Sequence, residues 1–226
     1  MTRSASRIAT ILFCVSAVST ALIIFIVLRH NLTNDLALVF RGWFTQLTQR
    51  GLPAISGEYS IYPPTYLYLL ATVAPLHPVM SDVVLIKSVS MAFSFVAGCI
   101  VSLIVFEITM NKNISAVAGS GFLIIPTVIT NSAYWGQNDI IYSTFILGFV
   151  LFNLKGDPRK AVLCLGLAFS LKLQTIFVAP YALYLILRRR IAVKHVLIVP
   201  IVYVAAMFPA WLMGRPASQL VTIYLG

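Results

Sequence analysis

The sequence predicts an all-α protein built as a polytopic membrane helix bundle, and three observations carry that prediction. Of its 226 residues, 60% are hydrophobic and only 10% are charged, against about 25% charged in an ordinary soluble domain. Mean hydropathy is +0.95, so the exterior as well as the interior must be apolar. The apolar residues fall into helix-length runs with Lys and Arg gathered between them. Such a composition excludes a cytosolic globule and a disordered chain. The isoelectric point of 9.8 then reports membrane topology, not a nucleic-acid partner.

The first run, residues 10–28, follows Arg3 and Arg7. It is long for a signal-peptide core, ends without a small-residue cleavage site and is succeeded by further runs. It therefore reads as a retained first span with the N-terminus in the cytoplasm. Asn34-Asp35 opens an amphipathic segment, residues 36–44, that reads as a helix on the outer surface. Residues 62–79 hold Pro63, Pro64, Pro75 and Pro78 around a run too short to cross; they read as an interfacial helix with Tyr62, Tyr66 and Tyr68 at headgroup level. Six more runs follow, at 83–106, 115–129, 140–154, 161–170, 175–187 and 196–213, giving about seven transmembrane helices. Two of these are about half length and flank Ser170-Leu171-Lys172-Leu173-Gln174. Short helices there put Lys172 and Gln174 below the outer membrane surface, in backbone that needs a buried or wet surround.

Charge bookkeeping supports keeping 62–79 out of the membrane. The inside segments then carry ten basic and two acidic residues, or +8. The outside segments carry Arg29, Arg41, Arg50, Lys87 and Arg215 against Asp35, Glu58, Asp82 and Asp139, or +1, and Lys172 completes the total of +10. This partition obeys the positive-inside rule. It also sends the long loop 29–82 and the short loop 130–139 to one external face, with four of the six carboxylates.

Cys14, Cys99 and Cys164 lie in apolar runs and read as buried small hydrophobes. His30, His77 and His195 stand singly, so no metal site is expected from them. Asn31-Leu32-Thr33 and Asn113-Ile114-Ser115 match the glycosylation sequon by chance and receive no role. Arg188-Arg189-Arg190 reads as a topology anchor, with anionic lipid headgroups as an alternative partner. On local pattern Asp35 is an N-cap, as is Asn138 or Asp139 before Ile140. Tyr134 and Trp135 likewise fit interfacial anchors. Yet both acidic sites, an intramembrane Lys172 with Gln174 and a Pro/Tyr-rich segment converge on one side. Folding alone does not require such a polar cavity, and an ionisable residue within a span points to function.

These elements, in this order, resemble the GT-C superfamily of membrane glycosyltransferases, and among them the bacterial mannosyltransferases related to the GPI mannosyltransferases. The matching pieces are Asn34-Asp35 with Arg41-Gly42-Trp43-Phe44, Ile61-Tyr62-Pro63-Pro64-Thr65-Tyr66-Leu67-Tyr68-Leu69-Leu70, Ile86-Lys87, Asn131-Ser132-Ala133-Tyr134-Trp135-Gly136-Gln137-Asn138-Asp139, and Ser170-Leu171-Lys172-Leu173-Gln174 with Pro180. The resemblance covers nearly the whole chain as one GT-C-like transmembrane domain. Members continue through several more spans, so residues 1–226 are expected to be part of a longer chain.

The resemblance implies a polyprenyl-phosphate-linked sugar donor, with its tail in the bilayer, and a glycan, lipid or protein acceptor whose hydroxyl attacks C1 with inversion. By position Asp35 matches the family's general base. Asp139 and Gln137 match a second-loop motif in which metal-dependent oligosaccharyltransferase relatives carry an acidic pair. Here Gln137 replaces one carboxylate, so a divalent cation is not favoured and no cofactor is expected. A lipid phosphate leaves readily, so the site needs a base and positive charge more than a general acid. Lys172, with Arg215 second, fits that charge, and Gln174 belongs to the same motif. Tyr62, Tyr66 and Trp135 suit stacking on sugar or prenyl groups, or plain interfacial anchoring. The expected location is a bacterial plasma membrane with the active site external. Two alternatives stay open: a transporter or lipid-handling protein using Lys172 as counter-charge, and a non-catalytic membrane module.

Overall fold

A computed structural model describes residues 3–224 of the chain; Met1, Thr2, Leu225 and Gly226 lie outside the described residues. Every regular element among the described residues is helical, as expected from the apolar runs. Helix α1 (Arg3–Leu28) turns its small residues inward and its large ones outward: Ala17 and Ala21 are buried, whereas Ile11, Leu12, Val15, Ile23 and Val27 are exposed. That inverted amphipathicity is stable only against lipid. A widened π turn, Leu36–Phe40, leads into α2 (Arg41–Arg50), and α3 (Pro64–Val73) begins at its Pro, where a missing N–H costs nothing.

Helices α4 (Asp82–Thr109) and α5 (Lys112–Phe122) cross at small residues. A Cβ built on Gly119 would lie 2.6 Å from the Gly98 carbonyl oxygen and 2.7 Å from Ser102 Cβ, so the two backbones touch. Beyond α5 the chain breaks before Pro126 and resumes as α6 (Pro126–Ile129) and a second π turn, Thr130–Trp135, bent by 47°. Helices α7 (Asp139–Leu154), α8 (Pro158–Leu171), α9 (Ala179–Leu187), α10 (Ile198–Leu212) and α11 (Ala217–Thr222) complete the chain. α4 packs on α5 and α7, α7 on α8, and α8 on α10, while α1 lies along α5. Gly148 against Cys164 and Gly166 against Val202 repeat the small-residue contact at the α7–α8 and α8–α10 crossings. Close backbone approach of this kind is how helices associate where lipid removes the hydrophobic drive.

About seven spans are expected, and helix length and composition by themselves qualify fewer. Three helical stretches, Ala5–Leu28, Asp82–Thr109 and Val193–Leu212, are long and apolar enough to cross, or four if the bent pair Lys112–Phe122 and Pro126–Trp135 counts as one. At 1.5 Å per residue the first three measure about 30–42 Å, but α7 and α8 reach only about 24 Å and 21 Å. Their polar flanks, Asp139, Lys155, Asp157 and Lys172, stop them short. Helix α3 is short too, and one face of it is core: Tyr66, Leu67 and Leu70 are fully buried with Trp43, Phe44 and Leu85, so Tyr66 does not stand at headgroup level.

Candidate active site

One end of the bundle gathers polar side chains from α1's exit, the turn before α7, and the end of α8. Asp35 lies in helical backbone (φ −61°, ψ −41°) and its side chain caps nothing, so the N-cap reading fails. Its Oδ2 instead accepts a hydrogen bond of 2.6 Å from Gln137 Nε2, 102 residues away. Loops 29–35 and 136–138 therefore share one end of the molecule, as the charge partition anticipates.

Asn138 occupies the N-cap position of α7 without making a side-chain cap bond. Asn131, in the preceding π turn, takes over: its Oδ1 accepts from Ile140 N–H at 3.1 Å and its Nδ2 donates to Asp139 Oδ2 at 3.1 Å. This turn thus caps α7 and orients its first carboxylate together. Asp139 Oδ1 forms an ion pair with Lys172 Nζ. Lys172 ends α8 in extended backbone (φ −155°, ψ 134°), the irregularity expected at 170–174. Its ammonium stands 5.4 Å from the Tyr62 ring centroid and 5.8 Å from that of Tyr142. The side chain is only 11% exposed, against 40% for Asp139. A cation so placed is desolvated by aromatic faces and keeps donors beyond the one given to Asp139.

From Asn131 and Asp139 an open groove of about 400 Å³ runs between α6 and α7, past Phe122, Val128, Ile146 and Leu147. It joins the polar end of the bundle to its apolar flank.

The remaining expected residues fall elsewhere. Tyr66 is fully buried, with Phe40, Trp43 and Tyr62 rings at 5.7, 6.3 and 6.2 Å; it is a core residue and has no open face for stacking. Trp135 is exposed, and its carbonyl accepts from Thr33 Oγ1 at 3.5 Å. Gln174 is exposed and hydrogen-bonds to none of the cluster. Arg215 is 3% exposed and faces a different cavity, with Glu58, Ser60 and Gln219. Its Nη2 donates to Ser60 O at 3.2 Å, while Nε and Nη1 meet no partner among the described residues. Burial pulls this guanidinium below its ordinary pKa, opposed by Tyr59, Tyr68 and Glu58.

The charge partition counts Lys87 among the outer loop charges; it is instead wholly buried in α4, with its Nζ donating to Leu28 O and Asn31 O at 2.8 Å each. Sequence reasoning quotes Lys87 and Asn131 within the motifs of the resemblance but gives neither a role, and it does not single out Ser90 or Tyr142. An ionisable residue inside the apolar run 83–106 is the available signal for Lys87, and Ser90 follows it by one helical turn. For Asn131, eight residues before Asp139 across an irregular turn, no periodicity gives a signal. Among the described residues no three His, Cys, Asp or Glu side chains cluster as metal ligands do.

The family model of glycosyltransferase family 87 matches residues 61–221, which include Tyr62, Gln137, Asp139, Lys172 and Arg215 but not Asp35. No curated protein and no solved structure matches the chain. With most of its length covered by that match, and with the helical membrane bundle and the polar cluster at its end, the chain belongs to glycosyltransferase family 87, a GT-C-type family of membrane glycosyltransferases.

Proposed function

We propose that the chain transfers a hexose, mannose, from a polyprenyl-phosphate donor to an acceptor hydroxyl at the external membrane face, with inversion and without a metal. The observation that carries this reading is the pairing at one end of the bundle. A carboxylate held by a neutral amide, Asp35 with Gln137, and a desolvated cation held by a carboxylate, Lys172 with Asp139, are anchored by partners two residues apart at the start of α7. A transfer to C1 needs these two functions and little else.

In this reading the acceptor oxygen attacks C1 on the face opposite the phosphate, and the C1–O bond to the phosphate breaks. Asp35 takes the hydroxyl proton. The electron pair leaves on the phosphate oxygen, whose growing charge is met by the Lys172 ammonium in a poorly hydrated setting. The groove between α6 and α7 suits the prenyl tail; Tyr62, whose ring lies beside Lys172, and the exposed Trp135 and Gln174 are the proposed contacts for sugar or prenyl groups. Arg215, in its separate cavity, fastens Ser60. That Ser Oγ both accepts from Tyr62 N–H and donates to Tyr62 O, so Arg215 supports the ring beneath Lys172.

The test is transfer of radiolabelled sugar from polyprenyl-phosphate mannose, and from its glucose analogue, to membrane acceptors. Loss of a well-placed general base costs about 100- to 10,000-fold. Asp35→Asn is expected to fall by that amount while remaining folded by size-exclusion chromatography, and EDTA is expected to leave the wild type unchanged. Normal turnover by Asp35→Asn would remove Asp35 from the reaction; EDTA-sensitive transfer would remove the metal-free mechanism.

A further inference from the structure

Two buried polar residues of α4 take no part in the chemistry above, yet between them they touch both loops that carry the Asp35–Gln137 pair. Lys87 and Ser90 are each fully buried and lie one turn apart on one helix face. Lys87 Nζ donates to Leu28 O, the last residue of α1, and to Asn31 O, four residues before Asp35. Its stem underlies the other loop: a Cβ on Gly136 would come within 2.8 Å of Lys87 Cγ. Gly136 has φ +66°, so it accepts both the left-handed turn and the close approach. Ser90 Oγ then donates to the carbonyl of Gln137 itself at 2.7 Å.

Asp35 is solvent-exposed, and it meets Gln137 across 102 residues of chain. A contact between two such loop ends stays fixed only if something rigid holds both. The middle of α4 is rigid, pinned by its close crossing with α5 at Gly98 and Gly119. Lys87 forms no salt bridge among the described residues, and burying a cation without a carboxylate is costly. A Met of similar length would fill the same space without that cost. What the ammonium adds is direction: two bonds aimed at one loop, at the negative end of α1.

We propose that Lys87 and Ser90 are positioning residues that hold the two loops in register and so set the Asp35–Gln137 geometry. The proposal rests on the reading of Asp35 as the base, and it predicts that disturbing α4 at these two points impairs turnover more than donor binding. Displacement of a catalytic group by about 1 Å costs about 100-fold.

Two independent measurements on the full chain test it. The first is kinetic. Lys87→Met and the milder Ser90→Ala are expected to lower kcat by roughly 10- to 100-fold, with the donor KM unchanged. Either substitution added to Asp35→Asn is expected to lower its residual transfer no further, because both act through one group. The second needs no activity. Spin labels at Asn34→Cys and Tyr134→Cys, in a chain with Cys14, Cys99 and Cys164 replaced by Ala, report the loop-to-loop distance by pulsed electron resonance. That distribution is expected to be narrow with Lys87 and Ser90 present and to broaden in Lys87→Met and, less, in Ser90→Ala. An unchanged narrow distribution overturns the clamp, as does full additivity with Asp35→Asn. If Lys87→Met does not fold, Ser90→Ala decides by the same readouts. Full transfer by Asp35→Asn refutes the base reading alone, and the spin-label distances then judge the clamp.

Discussion

Replacing Gln137 by Glu changes the sign of what faces Asp35 while keeping the shape of the side chain. Gln137 Nε2 donates to Asp35 Oδ2 at 2.6 Å; the variant sets two carboxylates against each other. Losing a hydrogen bond to a charged group is worth about 1.5–3 kcal/mol. Like charges 4 Å apart repel by about 1 kcal/mol in water and about 4 kcal/mol at an effective dielectric of 20. Asp35 is exposed, so the lower part of that range applies, and the two side chains relieve it by swinging apart. Separation by about 1 Å is enough to cost about 100-fold in rate. Transfer by Gln137→Glu is therefore expected to fall by roughly 10- to 100-fold, with Gln137→Ala falling less because it loses the bond without adding repulsion. The assay is the initial rate of sugar transfer in EDTA-treated membranes, with and without added Mn²⁺. A divalent ion between the two carboxylates would relieve the repulsion, so Mn²⁺ is expected to raise the rate of Gln137→Glu and leave the wild type unchanged. Wild-type turnover by metal-free Gln137→Glu would refute the argument that this contact fixes the base.

Three further predictions rest on other contacts. Lys172→Met strands Asp139 and is expected to abolish transfer and lower stability. The stability loss should stay below the roughly 3–5 kcal/mol of a fully buried pair, because the Asp139 side chain is 40% exposed. Adding Asp139→Asn should restore the melting temperature but not the activity, and recovery of both would deny Lys172 a chemical role. Gly119→Ala drives a methyl to 2.6 Å from the Gly98 carbonyl and is expected to destabilise the detergent-purified protein by about 1–3 kcal/mol. Gly121→Ala is the control, since its methyl meets Phe13 at an ordinary 3.7 Å. Asp157 caps α8, accepting from the Lys160 backbone N–H at 3.1 Å and pairing with the Lys160 ammonium at 3.0 Å; these hydrogen bonds hold its carboxyl below the usual pKa. Its contribution is therefore complete above the unfolded value of about 3.9 and is lost as pH falls through the lower folded one. Asp157→Ala should thus melt below the wild type at neutral pH, with the gap closing in strong acid.

The apolar runs were legible because a helix that meets lipid must be apolar all along its length, and the residues at 10–28, 83–106 and 196–213 leave no other reading. Their number was not. Residues 140–154 and 161–170 look like spans in composition, but whether a helix of 14 to 16 residues crosses depends on neighbours that the sequence does not show. The grouping of Asp35, Gln137, Asp139 and Lys172 was legible through parity, since counting crossings places two distant loops on one face. What holds the group was not. Tyr66, behind Pro63 and Pro64, has the local pattern of a headgroup anchor, and only the packing of Phe40 and Trp43 over it makes it core. Lys87 counts as a solvated charge in sequence because its partners are carbonyls, which carry no sequence signature. Asp35 and Asn138 read as caps because cap preference is a local rule. At α7 the cap comes from Asn131 in another turn, and at the helix after Asn34 the carboxylate is drawn away to Gln137.

The two arms of the site share a backbone device that bears on why it sits where it does. Asp35 leads into the π turn Leu36–Phe40, and the π turn Thr130–Trp135 leads to Gly136 and Gln137. A π turn holds an extra residue, so it rotates the next stretch of chain relative to an α-helix and weakens the local ladder; such turns favour functional positions. The bundle confines this irregularity to one end. Its tight crossings, at Gly98–Gly119, Gly148–Cys164 and Gly166–Val202, lie along regular helix. α4 belongs to both regimes: its middle is locked against α5, and its first turns carry Lys87 and Ser90 up to the irregular loops. A site assembled from loose turns thus inherits its rigidity from one straight helix. Substitutions in that helix should then alter turnover without touching a group that contacts substrate.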